Sequence, residues 1–203
     1  MVAKNALMYP VRLLFDRKFN PVYKEQLARY IAPLCEDNSS VLDVGCDDGT
    51  VGEIIMQLNP TLKIVGIDIQ DNRPSKIPRK IYDGKRIPYP DNSFDIVIVL
   101  DVLHHTSDIL SILKEIKRVS RKHIIVKDHM TYGTFSNYLI SFADYVSNAP
   151  YGIKCAFNFP TFERWSSYFN GLGLKIIERP RNLSFGFGIN ERYHPIFKLE
   201  KMN

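Results

Sequence analysis

Carboxylates alternate with glycines in the segment Val41-Leu42-Asp43-Val44-Gly45-Cys46-Asp47-Asp48-Gly49-Thr50, a combination of bare backbone and negative charge suited to a polar, nucleotide-like ligand. The apolar residues before the turn read as a buried strand. Those after it, Val51, Ile54, Ile55 and Leu58, recur at helical spacing, so the N–H groups of a helix start would face the same spot. A second apolar run, Leu62-Lys63-Ile64-Val65-Gly66-Ile67-Asp68, closes on an acid about 20 residues further on, where a carboxylate can accept both hydroxyls of a ribose.

The order of the first motif separates two kinds of nucleotide fold. It reads Asp-x-Gly-x-Asp-x-Gly, with an acid inside the strand end, and not Gly-x-Gly-x-x-Gly. That order resembles motif I of the class I S-adenosylmethionine (SAM) dependent methyltransferases. The likeness continues through Tyr82-Asp83-Gly84-Lys85-Arg86-Ile87-Pro88-Tyr89-Pro90-Asp91-Asn92-Ser93-Phe94-Asp95 and on to Leu100-Asp101-Val102-Leu103-His104-His105, which is similar to the methyltransferase type 11 group that includes ubiquinone and menaquinone methylases. The resemblance covers residues 38 to 130; both ends share only the family's general layout.

The resemblance implies SAM as cofactor and a role for each matched position. Gly45, Cys46 and Gly49 line the methionine part by their backbone, with Asp43 orienting the loop or meeting the amino group through water. Asp68 binds the ribose, Asp83 accepts from the adenine amino group, and the backbone of Ile69 or Gly84 shapes the ring pocket. Leu100 offers its carbonyl at the end of the fourth strand. One departure stands out: Asp47 occupies the place of the family's middle glycine and adds a Cβ and a negative charge, although aspartate tolerates left-handed backbone.

Methyl transfer by in-line attack asks mainly for positioning, so neither a metal nor a nucleophilic side chain is expected. The candidate catalytic residues are histidines past strand ends, where the cleft of an open α/β sheet lies. His129, beside Asp128, is the preferred general base for a hydroxyl or amine acceptor, and His104 of the His104-His105 pair can orient substrate or take a proton. Either can instead close a strand or cap a helix. Joint metal binding by His104, His105, Asp128 and His129 has no supporting ligand spacing.

To place these groups the chain must build a doubly wound, Rossmann-like α/β fold. Strands are expected near 40 to 45, 62 to 68, 79 to 82, 94 to 100 and 122 to 127, with helices at 49 to 58 and 107 to 119. Ile109, Ile112, Leu113, Ile116 and Val119 form the inner stripe of the second helix, with Ser107 or Asp108 as N-cap. Pro74 and Pro78 argue that the crossover helix between Asp68 and Tyr82 is truncated. A helix with Phe135, Leu139, Phe142 and Val146 on one side follows, then a helix from Thr161 to Phe169, then strands over 174 to 179 and 192 to 199 joined as a hairpin. By resemblance these complete a seven-stranded sheet of order 3-2-1-4-5-7-6, its last strand antiparallel, in a single domain over residues 1 to 203, with residues 1 to 37 as an N-terminal helical or lid segment. Phe162, Trp165 and Phe169 at helical spacing read as core sooner than as a substrate wall.

With 45% hydrophobic and 24% charged residues, the 203-residue chain has the composition of an ordinary globular domain. Its net charge of +5 is spread out, without a basic run marking a nucleic-acid arm. Cys35, Cys46 and Cys155 are too scattered for a zinc site or disulfide framework, which points to a reducing, cytoplasmic setting, and no stretch is long enough for a signal core or membrane span. The expected partner is a small-molecule methyl acceptor, with no nucleic acid. An RNA or protein methyltransferase, or a noncatalytic module with a decayed loop, are the competing readings.

Overall fold

The computed structural model describes residues 20–71, 73–148, 156–178 and 193–202. Helix α1 (Asn20–Ile31) and a 3-10 turn (Ala32–Leu34) lead into β1 (Ser40–Val44), α2 (Thr50–Leu58), β2 (Lys63–Asp68) and β3 (Arg79–Ile81). Then come β4 (Phe94–Leu100), a 3-10 turn (Leu103–His105), α3 (Ile109–Val119) and β5 (Ser120–Lys127). Helices α4 (Thr134–Asn148) and α5 (Phe162–Gly171) precede β6 (Leu174–Glu178) and β7 (Ile196–Lys201).

The seven strands form one sheet of order 3-2-1-4-5-7-6. β1 to β5 are parallel, and β7 runs antiparallel between β5 and β6, with Ile125 opposite Lys198 and Ile176 opposite Leu199. Helices cover both faces, which is why the central strands read as unbroken apolar runs. Side chains alternate between two cores. Leu42, Val44, Val97, Val99, Ile124 and Val126 join α3 and the Trp165–Phe169 side of α5, while Val41, Ile96, Ile98 and Ile125 join α1 and α2. Trp165 and Phe169 are fully buried, as expected of core aromatics.

Local signals set the helix ends. Asp108 caps α3 by accepting the Ser111 N–H at 3.0 Å, so the helix begins two residues later than the expected 107. No helix lies among the described residues between β2 and β3. Ile77 from that link is buried against the cofactor turn, and a Cβ on Gly49 would sit 2.7 Å from its Cγ1.

Helix α4 forms where expected; Phe135 and Phe142 are 77% and 70% exposed, while Ser136, Ile140 and Asp144 are buried. Ser136 donates to the Gly133 carbonyl and accepts the Tyr132 N–H, and Asp144 reaches His104. The expected β6–β7 connection and the first 19 residues of the N-terminal segment lie outside the described residues.

Candidate active site

The cofactor-loop candidates gather at the carboxyl ends of β1 and β2. Gly45 has φ +75°, and a Cβ there would lie 2.4 Å from Val102 Cγ2, so glycine is needed for both backbone and space. The Gly45 and Cys46 N–H groups donate to the Ile67 carbonyl at 2.8 and 3.2 Å, which ties the turn to β2. Gly66 lets Cys46 pack on β2, since a Cβ there would meet Cys46 Sγ at 2.3 Å. Burial pushes the Cys46 thiol well up, so it behaves as a packing group.

Asp47 adopts φ +48°, the left-handed conformation that the family's glycine position requires. Its charge faces Lys24 Nζ at 3.0 Å and Arg73 at 3.7 Å, and Lys24 also holds Asp48 at 2.8 Å. The Asp47 N–H donates to Asp68 Oδ2 at 2.8 Å and the Gln70 N–H to Asp68 Oδ1 at 2.9 Å. Each oxygen keeps a further lone pair for a ligand hydroxyl. Asp43 is 3% exposed, and burial together with the Asp68 charge raises its carboxyl to about 7.

The adenine-side candidates are more open. Ile69 is exposed beside Gly84, whose φ is +74°. Asp83 lies on the surface and its Oδ1 accepts the Lys85 and Arg86 N–H groups at 2.8 and 3.0 Å, shaping the turn it belongs to. Leu100, half-buried, ends β4.

Because β4 and β5 are neighbours with Leu100 opposite Lys127, the residues after both strands converge. Asp128 accepts the Leu103 N–H at 2.8 Å and the His129 N–H at 2.7 Å, and its Oδ1 lies 2.6 Å from His104 Nδ1. His104 Nε2 lies 3.4 Å from Asp144 of α4. Burial opposes a charge on His104, but the Asp128 carboxylate outweighs it and lifts the imidazole to about 10. Asp128 is held far below the usual carboxylate range by the same pairing, despite its burial.

His129 Nδ1 lies 3.2 Å from His104 Nδ1 and 3.7 Å from Asp101 Oδ1, with 16% of the side chain exposed. Burial and the neighbouring His104 charge push its basicity down, so it is kept neutral. Phe159 walls the pair, its ring centre 5.4 Å from that of His129.

The sequence reading gave Asp101 and Lys127 no role and took Tyr23 only as part of the N-terminal helical or lid segment. Lys127, fully buried at the end of β5, pairs with Asp101 and lies 2.7 Å from the Tyr23 hydroxyl and 3.1 Å from His194 Nδ1. The Tyr23 hydroxyl also donates to Asp101. Burial works against the Asp101 charge, yet Lys127 keeps its carboxyl below the usual range. Thus α1 of the expected lid reaches the cleft through Tyr23 and the cofactor loop through Lys24. Only the juxtaposition of β4, β5 and α1 makes Tyr23, Asp101 and Lys127 a set.

A zwitterionic sulfonium suits this donor set. SAM carries two positive groups and one negative one; Asp43, Asp47 and Asp68 surround the turn with Lys24 and Arg73 as nearby cations. The fit is therefore chemically sound.

Comparison with known proteins agrees with the geometry. A family profile described as "Methyltransferase domain" matches residues 15–179. The tRNA U34 carboxymethyltransferase of Nautilia profundicola is 34% identical over 92 residues, which cover 40% of this chain and 30% of that protein. The 27-O-demethylrifamycin SV methyltransferase of Amycolatopsis mediterranei is 29% identical over 94 residues, covering 40% of this chain and 34% of that one. The chain thus spans about a third of the length of these relatives. Among solved structures, magnesium protoporphyrin IX methyltransferase from Synechocystis with bound SAH shares the fold, with a TM-score of 0.64 at 12% identity, covering 96% of this chain and 99% of that one.

Proposed function

Because the chain belongs to the methyltransferase-domain family, as a class I SAM-dependent member, we propose that it transfers the methyl group of SAM to an oxygen, nitrogen or activated carbon of a small-molecule acceptor. The observation that carries the reading is the contact between Gly45 and Val102. A Cβ on Gly45 would lie 2.4 Å from Val102 Cγ2, so the cofactor turn abuts the segment that bears Asp101 and His104. Cofactor and acceptor groups would then meet across one residue's width.

When bound, SAM supplies an electrophilic methyl carbon on a positively charged sulfur. Asp43 and the turn Gly45–Gly49 hold the methionine end and Asp68 the ribose, while Asp83, Ile69, Gly84 and the Leu100 carbonyl bound the adenine and the cleft floor. Asp43 gains most from a ligand ammonium, since burial otherwise disfavours its charge. His129, kept neutral, takes a proton from the acceptor hydroxyl or amine at Nε2, because its Nδ1 faces His104 and Asp101. His104 acts through His129 and Asp128, as a positioning residue. Holding the acceptor and methyl group in line at the ends of β4 and β5 removes most of the entropic cost of their encounter.

His129 is backed by the rings of Phe159 and His104, a wall suited to a small acceptor. Two measurements test the reading. Calorimetric titration with SAM is expected to show one site; no heat would favour a noncatalytic module. Incubation with labelled SAM and either a metabolite panel or bulk RNA is expected to label only metabolites, and label in RNA alone would overturn the acceptor class.

A further inference from the structure

Behind the catalytic face, three ligand-type side chains from two elements converge. His104 and His105 of the 3-10 turn after β4 and Asp144 of α4 place one ligand atom each within 4.8 Å of the others. We propose that His104, His105 and Asp144 bind a divalent first-row transition-metal ion, one that fastens α4 to the sheet edge.

The geometry around His104 carries the assignment. Asp128 Oδ1 sits 2.6 Å behind Nδ1, the arrangement of carboxylate, imidazole and ion that fixes the Nδ1–H tautomer and turns the Nε2 lone pair outward. Nε2 then lies 3.4 Å from Asp144 Oδ1. That is long for a charged hydrogen bond but matches the separation of about 3.3 Å between two ligand atoms of a tetrahedral ion with bonds of about 2.0–2.1 Å.

An independent observation agrees. His105 Nδ1 is buried with no hydrogen-bond partner among the described residues, an arrangement that costs desolvation unless something fills it. Two imidazoles and one carboxylate form the donor set of open zinc and non-haem metal sites, with positions left for water or another oxygen ligand.

A second grouping, Asp101, His104 and His129, is geometrically possible but chemically poorer. It would take His104 through Nδ1, which Asp128 already holds, and Asp101 through the oxygen paired with Lys127. The ion therefore belongs on the Asp144 side. This assignment does not depend on the identity of the methyl acceptor.

Chelator-stripped full-length chain titrated with Co²⁺ is expected to develop visible ligand-field bands saturating at one equivalent, and Zn²⁺ is expected to abolish them. His105→Gln, at a half-buried position, is expected to weaken Co²⁺ binding at least 10-fold, and Asp144→Asn likewise, while His129→Ala keeps it. Asp128→Asn is expected to lower affinity about 10- to 100-fold through the ring it orients. Zn²⁺ is expected to raise the melting temperature of the parent chain and not of His105→Gln, which guards against a variant that merely misfolds. Absence of Co²⁺ bands, binding unchanged in His105→Gln, or loss confined to His129→Ala would each overturn the site.

Discussion

Lys127 at the end of β5 and Tyr23 on α1 meet with Nζ and hydroxyl 2.7 Å apart, although 104 residues separate them. Asp101 closes the triangle, pairing with Lys127 and accepting from Tyr23. A buried ammonium is tolerated here because a carboxylate, a hydroxyl oxygen and an imidazole nitrogen face it.

Removal of that hydroxyl is the first expected outcome to check. Tyr23→Phe keeps the ring but leaves the ammonium and Asp101 one partner short, so the fold should lose about 1–3 kcal/mol in urea denaturation. Unchanged stability would show that water replaces the hydroxyl and that α1 does not depend on it.

Asp43 predicts a pH effect. Its folded-state carboxyl is lifted to about 7 from an ordinary value of 3.8, so between those values the folded chain holds a proton that the unfolded chain lacks. Stability should therefore fall as pH rises through that window, by up to roughly 4 kcal/mol for this group alone. Asp43→Asn should flatten this dependence and be the more stable variant at pH 8 in thermal melts, while binding SAM more weakly. An identical pH profile in both proteins would refute the raised value.

Gly45→Ala combines two penalties. The new Cβ meets Val102 at 2.4 Å and the backbone stays at φ +75°, so a loss of about 1–3 kcal/mol from overpacking is expected beyond about 1 kcal/mol of backbone strain. Adding Val102→Ala should restore the steric part and leave the strain. Equilibrium denaturation of both variants separates the two contributions.

His129→Ala should lower kcat about 10²- to 10⁴-fold for a hydroxyl or amine acceptor, with SAM affinity from calorimetry nearly unchanged. Turnover equal to the parent would remove the base assignment, as expected if the acceptor needs no deprotonation.

Much of the sheet was legible because its strands are buried on both faces and carry unbroken apolar runs: Ile96, Val97, Ile98 and Val99 of β4 are fully buried, and the α3 stripe from Ile109 to Val119 packs as its spacing predicts. For α4, apolar periodicity finds the helix but not which side is covered: Phe135 and Phe142 stay in solvent while Asp144 turns inward beside His104.

By itself, the order of residues along the chain determined the strand and helix segments and the glycine–acid turn at Asp43 to Gly49, since those signals are local backbone geometry and short-period hydrophobicity. The tertiary structure alone decided that His104, Asp128 and Asp144 would share one buried cluster and that Tyr23 and Lys127 would meet. These groups lie 24, 16 and 104 positions apart. Only the parallel pairing of β4 with β5 and the packing of α1 and α4 over their carboxyl ends closes such distances, because no short-range periodicity encodes contact between remote charged side chains.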